Sequence, residues 1–235
     1  EGFLLEVAQS AEDWGASRFR FCDTVGILDP TTIAEKVGNL VKWLSIEIEM
    51  HTHNDLGLAT ANALAGIKAG ATSVNTTVNG FGERAGNAAT EEVIMALKCL
   101  YGVNMGIDTP RLRELSQVVA RACGFGVPPW KAIVGENAFA HESGIHGHGV
   151  LKNPATYEPF APEEVGWERR LVAGKHSGRH LLSSMLQQYG IALSSEESQS
   201  LLDAVRNLSV QVKRGLTVEE LLNLVENRRV AHGIG

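Results

Sequence analysis

The 235-residue sequence has no run approaching the ~20 consecutive apolar residues of a membrane-crossing helix, and its first residues have neither a basic segment nor a long apolar core. Neither a spanning helix nor an export signal is expected. Cysteine is scarce: Cys22, Cys99 and Cys123 are odd in number and widely spaced, which excludes a disulfide framework and a CxxC metal knuckle. A reducing, cytoplasmic setting follows as the expectation, with the three thiols buried and structural. Blocks of one charge sign are also missing. The 21 Lys and Arg are interleaved with 27 Asp and Glu for a net charge of −6, so no electrostatic footprint for nucleic acid or anionic lipid stands out. Small molecules are the expected partners. What is present is a 44% hydrophobic content, enough for a sizeable core.

Along the chain, strand patterns alternate with helical ones. Arg18 to Cys22 alternates as a strand, and Asp29-Pro30 opens a helix carrying Ile33, Val37, Leu40, Val41 and Leu44 at helical spacing. Ile46 to His51 predicts a second strand, Leu56 to Ala69 a helix of small residues, and Thr72 to Val78 a third strand. The loop Gly80-Phe81-Gly82-Glu83-Arg84-Ala85-Gly86-Asn87 leads into a helix with Val93, Leu97 and Leu100, stopped by Gly102. Repeats of this kind at roughly 30 residues predict parallel α/β architecture. A helix from Pro110 to Ala122 follows, then about fifty residues rich in Gly, Pro and His, a length that suggests a binding segment, a cover over a site or a crossing to another subunit. From Arg179 the pattern is helical, with capping boxes at Ser194/Glu197 and Thr217/Glu220.

The chemistry concentrates in His51-Thr52-His53-Asn54-Asp55. Residues two apart on a strand share a face, so His51 and His53 can aim both imidazoles at one point. The pair also reads as two polar strand residues. Its place decides for a divalent-metal site, because ligands of parallel α/β folds gather at the carboxyl ends of strands, where Asp23-Thr24 and Asn87 also fall. Hard ions want oxygen beside two imidazoles, and Asn87 can supply it. The glycine loop lacks the Gly-Lys-Ser/Thr ending of a phosphate-binding loop and the spacing of a dinucleotide fingerprint.

The combination His-x-His-Asn-Asp-x-Gly at 51–57, Ala-Asn at 61–62, Ala-Gly-Ala at 69–71 and Gly-x-Gly-Glu-Arg-x-Gly-Asn at 80–87 resembles the metal-dependent Claisen-condensing TIM-barrel family. That family includes homocitrate, 2-isopropylmalate and citramalate synthases and related acyl-CoA lyases. The likeness spans roughly residues 18 to 180. The runs Pro128 to Asn137 and Phe139 to His146 look most like the homocitrate synthases of the nitrogen-fixation type, while Gly174-Lys175-His176-Ser177-Gly178-Arg179 is shared more widely.

The resemblance implies the carboxyl-terminal part of a (β/α)8 barrel over residues 1–123 and a linker or lid over 124–180 that carries a catalytic histidine, while the helical pattern of the remainder reads as a small helical subdomain over 181–235. It implies His51, His53 and Asn87 as ligands of Mg2+ or Mn2+, with Zn2+ a third candidate, and Thr24 as a contact to a 2-oxoacid. His146 is the implied base acting with Glu49, which alternation places on the face of His51 and His53. Tyr157 is implied beside that base, to orient it or to meet the developing oxyanion. For Glu49 a solvated carboxylate and for Tyr157 a packing role are the competing readings. His141, His148, His176 and His180 read as structural or as substrate contacts. His148 stands where the family has Asp, and Thr90 where Leu is typical.

The implied substrates are acetyl-CoA and a 2-oxoacid, 2-oxoglutarate before 2-oxoisovalerate or pyruvate, in a full-length homodimer. The chain opens with Glu1 in what reads as a helix already under way, and three strand candidates are fewer than a barrel's eight. The family's first-strand motif Asp-x-Thr-Leu-Arg-Asp-Gly-Glu-Gln, which brings an aspartate ligand and an arginine, is absent from the sequence. The expectation is therefore an incomplete copy, inactive alone and aggregation-prone at the edge of its first strand. A degenerate, non-catalytic relative is the alternative of another class.

Overall fold

The computed structural model describes residues 2–143, 149–150 and 152–231, in two compact units, 1–135 and 136–235. The first unit is α/β. Helix α1 (Gly2–Asp13) precedes strand β1 (Arg18–Asp23), helix α2 (Pro30–Trp43), strand β2 (Glu47–Thr52), helix α3 (Ala59–Lys68), strand β3 (Ser73–Asn75), helix α4 (Thr90–Tyr101) and helix α5 (Leu112–Cys123). The strands form one sheet in the order β1-β2-β3, every pair parallel. This is the succession of βα units of a barrel wall, and β1 is an edge strand among the described residues.

Local sequence accounts for these elements. Asp29 caps α2 by accepting from the backbone N–H of Thr31 and Thr32 at 2.9 and 3.1 Å, and Pro30 occupies the first helical position. Ile33, Val37 and Leu40 then make one stripe, buried with Phe21, Ile48 and Met50 against the sheet. Helix α3 is built of small residues because it lies close to the strands. A Cβ on Gly66 would stand 2.5 Å from Met50 Sδ, so only glycine lets helix and strand meet there. Helix α4 buries Val93, Ile94 and Leu97 and ends at Gly102 in the left-handed region, which relieves its last carbonyls.

In the second unit, β4 (Ala140–His141) and β5 (Arg170–Leu171) pair in parallel, and helices α6 (Arg179–Gln187), α7 (Ser195–Val212) and α8 (Val218–Ala231) close around Leu181, Leu182, Leu186, Leu201, Val205 and Leu221. Both expected capping boxes are formed. Ser194 and Glu197 exchange side-chain-to-backbone bonds at 3.2 and 2.7 Å, and Thr217 and Glu220 do so at 3.2 and 2.9 Å. Between the 3-10 turns Pro154–Thr156 and Pro162–Val165 in sequence, the buried carboxylate of Glu158 accepts from His141 at 3.0 Å and from Arg169 at 2.7 and 2.5 Å.

One expectation is overturned. The cysteines are exposed, not buried. Cys22 sits on the sheet face opposite Phe21, and Cys99 and Cys123 fall off the apolar stripes of their helices, so none packs in the core. No helix among the described residues is long and apolar enough to cross a membrane.

Candidate metal centre

Register decides what meets at the ends of the strands. Cys22 of β1 lies opposite His51 of β2, and His51 lies opposite Asn75 of β3. His51 Nδ1 is 2.9 Å from Asn75 Oδ1. An amide oxygen only accepts, so this bond puts the imidazole proton on Nδ1 and turns the Nε2 lone pair toward His53. That Nε2 is 3.2 Å from Nε2 of His53, with the two rings edge to face. His53 is buried, and its Nδ1 has no partner.

This spacing fits a shared cation. Two imidazole nitrogens about 2.1 Å from one ion lie about 3.0 Å apart at a right angle and about 3.4 Å apart at a tetrahedral angle. The Nδ1 bond of His51 has the form of the outer-shell support that would fix such a ligand's tautomer and orientation. Among the described residues no third His, Cys, Asp or Glu joins the pair.

Asn87 arrives through the glycine loop. Its backbone bridges His53, its N–H donates to Gly80 O at 3.0 Å, and its side chain is buried. The loop's glycines make room for it: a Cβ on Gly82 would lie 2.0 Å from Asn87 Oδ1, and one on Gly86 2.0 Å from Gly80 O. Three strand-end loops are tied together by Arg84. It donates to both oxygens of Asp55 at 2.8 and 3.0 Å and to the carbonyl of Thr24 at 2.7 Å. The guanidinium holds the Asp55 carboxyl below the usual carboxylate range.

The other expected site residues are placed as follows. Thr24 offers its carbonyl to Arg84 and exposes its side chain. Glu49 is buried two residues before His51, its carboxylate 3.1 Å from Arg18 and 2.5 Å from Arg20; the Arg20 contact is an ion pair without hydrogen-bond alignment. Tyr157 belongs to the second unit, where its ring packs on Gly149, which has no room for a Cβ. His146 and His148 lie outside the described residues. Asn75, Arg84 and Asp55 were not singled out from sequence. The only signal for the last two was their place inside the quoted motifs.

The pattern of the HMGL-like family matches residues 1–119, half of the chain and every strand of this sheet. The chain belongs to the HMGL-like family. Beyond that HMGL-like part, residues 133–213 match the pattern described as homocitrate synthase post-HMGL domain-like. The chain is 72% identical over 232 residues to homocitrate synthase 1 of Nostoc sp., covering 99% of this chain and 62% of that protein. It is 58% identical over 225 residues to 2-isopropylmalate synthase 2 of Caldanaerobacter subterraneus, covering 96% and 59%. The chain thus spans about 60% of the length of these relatives. A solved hydroxymethylglutaryl-CoA lyase from Pseudomonas aeruginosa aligns over 53% of this chain and 43% of its own, at 22% identity and a TM-score of 0.49.

Proposed function

We propose that this chain carries one wall of the active site of an acyltransferase that condenses acetyl-CoA with 2-oxoglutarate, giving homocitrate and CoA after thioester hydrolysis. The observation that carries this reading is the pair of Nε2 atoms 3.2 Å apart at the end of β2, in a chain 72% identical to a homocitrate synthase. His51, His53 and Asn87 are the residues that would hold a divalent cation, Mg2+, Mn2+ or Zn2+. Such a cation, when bound, polarises the keto carbonyl of a 2-oxoacid toward carbon attack.

The remaining work falls to protein side chains. A proton leaves the methyl carbon of acetyl-CoA, that carbon bonds to the keto carbon, and the keto oxygen takes up a proton; water then splits the thioester and releases CoA. His146 is the base for the first proton, and Glu49 the carboxylate that acts with it. The ion pairs from Arg18 and Arg20 hold Glu49 in place on the face of His51 and His53. Tyr157 orients the base or donates to the developing oxyanion, and the Thr24 hydroxyl contacts the 2-oxoacid. The complete enzyme is a cytoplasmic homodimer whose 124–180 segment, with His146 and Tyr157, serves a neighbouring subunit. The first-strand aspartate and arginine are not in this sequence, so the 235-residue chain alone turns over little or nothing.

The test is CoA release from acetyl-CoA with 2-oxoglutarate, 2-oxoisovalerate or pyruvate. It compares the chain alone with a chimera completed by the portion of the Nostoc protein that the chain does not cover. The expected result is a silent chain and a chimera that prefers 2-oxoglutarate and loses activity on His51→Ala or His53→Ala. Preference for 2-oxoisovalerate would favour the isopropylmalate reading, to which the 58% identical relative points. A chimera without turnover on any of the three would refute the condensation reading.

A further inference from the structure

The turn Gly174-Lys175-His176-Ser177-Gly178 has no task in the proposed condensation, yet it is among the most firmly tied turns of the second unit. Ser177 Oγ accepts from Gly174 N–H at 2.8 Å and lies 3.3 Å from the carbonyls of Glu142 and Val172. Arg206 donates to Ser177 O at 3.1 Å, and Glu142 accepts the backbone N–H of His176 at 2.9 Å. Facing it, the loop Lys213-Arg214-Gly215 is drawn in by Leu216 N–H donating to Ala173 O at 2.7 Å, with Lys213 in the left-handed region at φ 56°. Between the two lies a cleft of about 330 Å3, lined by Glu142, Lys175, His176, Ser209, Lys213 and Arg214.

Two features of this cleft lack a partner inside the protein. Ser209, 4% exposed on α7, lines the cleft with its Oγ unpaired. Lys175 and Lys213 pair with no carboxylate among the described residues. The other charges are engaged: Arg214 forks onto Glu220 at 2.8 and 2.7 Å, and Glu142 takes the His176 N–H. With Arg214 offset by Glu220, two ammonium groups face one carboxylate, and the cleft keeps an excess of positive charge.

We propose that this cleft binds a phosphate monoester or free phosphate, with Lys175 and Lys213 meeting its charge and the Ser209 hydroxyl donating to one of its oxygens. Donors from three separate segments suit a tetrahedral anion with several oxygens. A planar carboxylate is best held by an arginine fork, and the Arg214 fork is already closed on Glu220. The same chemistry is offered by inorganic phosphate and by the 3′-phosphate of coenzyme A. The inference is independent of the condensation reading, because its test is binding of phosphate rather than turnover.

The experiment is calorimetric titration of the 235-residue chain at low salt with inorganic phosphate and with adenosine 3′,5′-bisphosphate. Saturable binding is expected with Kd below about 10 mM. The Lys175→Gln/Lys213→Gln double variant should weaken it at least about tenfold, and Ser209→Ala about threefold, with the thermal midpoint of Ser209→Ala unchanged or raised. Tighter binding of CoA than dephospho-CoA would assign the 3′-phosphate as the source, and binding of inorganic phosphate without that preference would assign the free anion. Either supports the site. No saturable binding at about 10 mM, or unaltered affinity in the double variant, overturns it. Should the double variant misfold by circular dichroism, Ser209→Ala decides, and wild-type affinity there overturns the proposal.

Discussion

Gly82→Ala tests the metal centre with a single methyl group. The added Cβ would lie 2.0 Å from Asn87 Oδ1, where carbon and oxygen normally keep about 3.3 Å. The amide must therefore retreat by about 1.3 Å, more than the ~0.5 Å tolerance of a working ligand set. Among the described residues, the side-chain hydrogen bond that resists that retreat is a long one, from Asn87 Nδ2 to Thr52 O at 3.4 Å. Displacing a ligand should cost at least as much as losing an outer-shell partner, about 10- to 100-fold in metal affinity, or about 1.4 to 2.7 kcal/mol. Stability should hardly change. Gly82 is exposed and its φ lies outside the left-handed region, so alanine fits its backbone and restricts the unfolded chain, a gain of about 0.4–1 kcal/mol against the local clash. The control is Gly38→Ala inside α2, where a Cβ meets nothing within 4 Å; it should stabilise by about 1 kcal/mol and leave metal affinity alone. The assay is Mn2+ or Zn2+ titration by calorimetry beside thermal melts of the three proteins. Wild-type metal affinity in Gly82→Ala would refute Asn87 as a ligand.

Asn75→Ala should lower metal affinity about 10- to 100-fold although Asn75 reaches only the far nitrogen of His51, and the same titration measures it. Truncating the fully buried Ile33 to alanine should cost about 2–5 kcal/mol in denaturant unfolding monitored by near-ultraviolet circular dichroism. Burial alone would raise the Glu158 carboxyl, but hydrogen bonds and charge from Arg169 and His141 hold it below the ordinary 4.5. A depressed folded value means that the unfolded state binds the proton more readily, so the triad's stabilisation is present above about pH 4.5 and lost as pH falls through the lower folded value. Thermal midpoints measured from pH 6 down to 3, in wild type and Glu158→Gln, should show that loss flattened in the variant. Arg169→Met should cost about 3–5 kcal/mol near neutral pH by denaturant unfolding, because it leaves a buried carboxylate short of its main counter-charge.

The sequence carried much of this side-chain arrangement because its main rule is local. Strand alternation alone puts His51 and His53 on one face, and Asp29-Pro30 and the two capping boxes mark helix starts within four residues. What escaped depends on distant pairings. Asn75 becomes the support of His51 only through the register of β2 on β3, and Arg84 finds Asp55 across 29 positions once two loops are folded side by side. The cysteines were misplaced for a related reason: hydrophobic residue type favours burial, but Cys99 lies beside the apolar stripe of α4, and that offset is set by which face the helix turns to the sheet. The same reasoning explains why Glu49 was legible as a neighbour of the histidines and not as a paired charge. Its arginines come from β1, and the Arg20↔Glu49 register sets them against it. A carboxylate pinned in this way is held where alternation put it, so removing Arg20 should disturb Glu49 before it disturbs the histidine pair, which has its own support in Asn75.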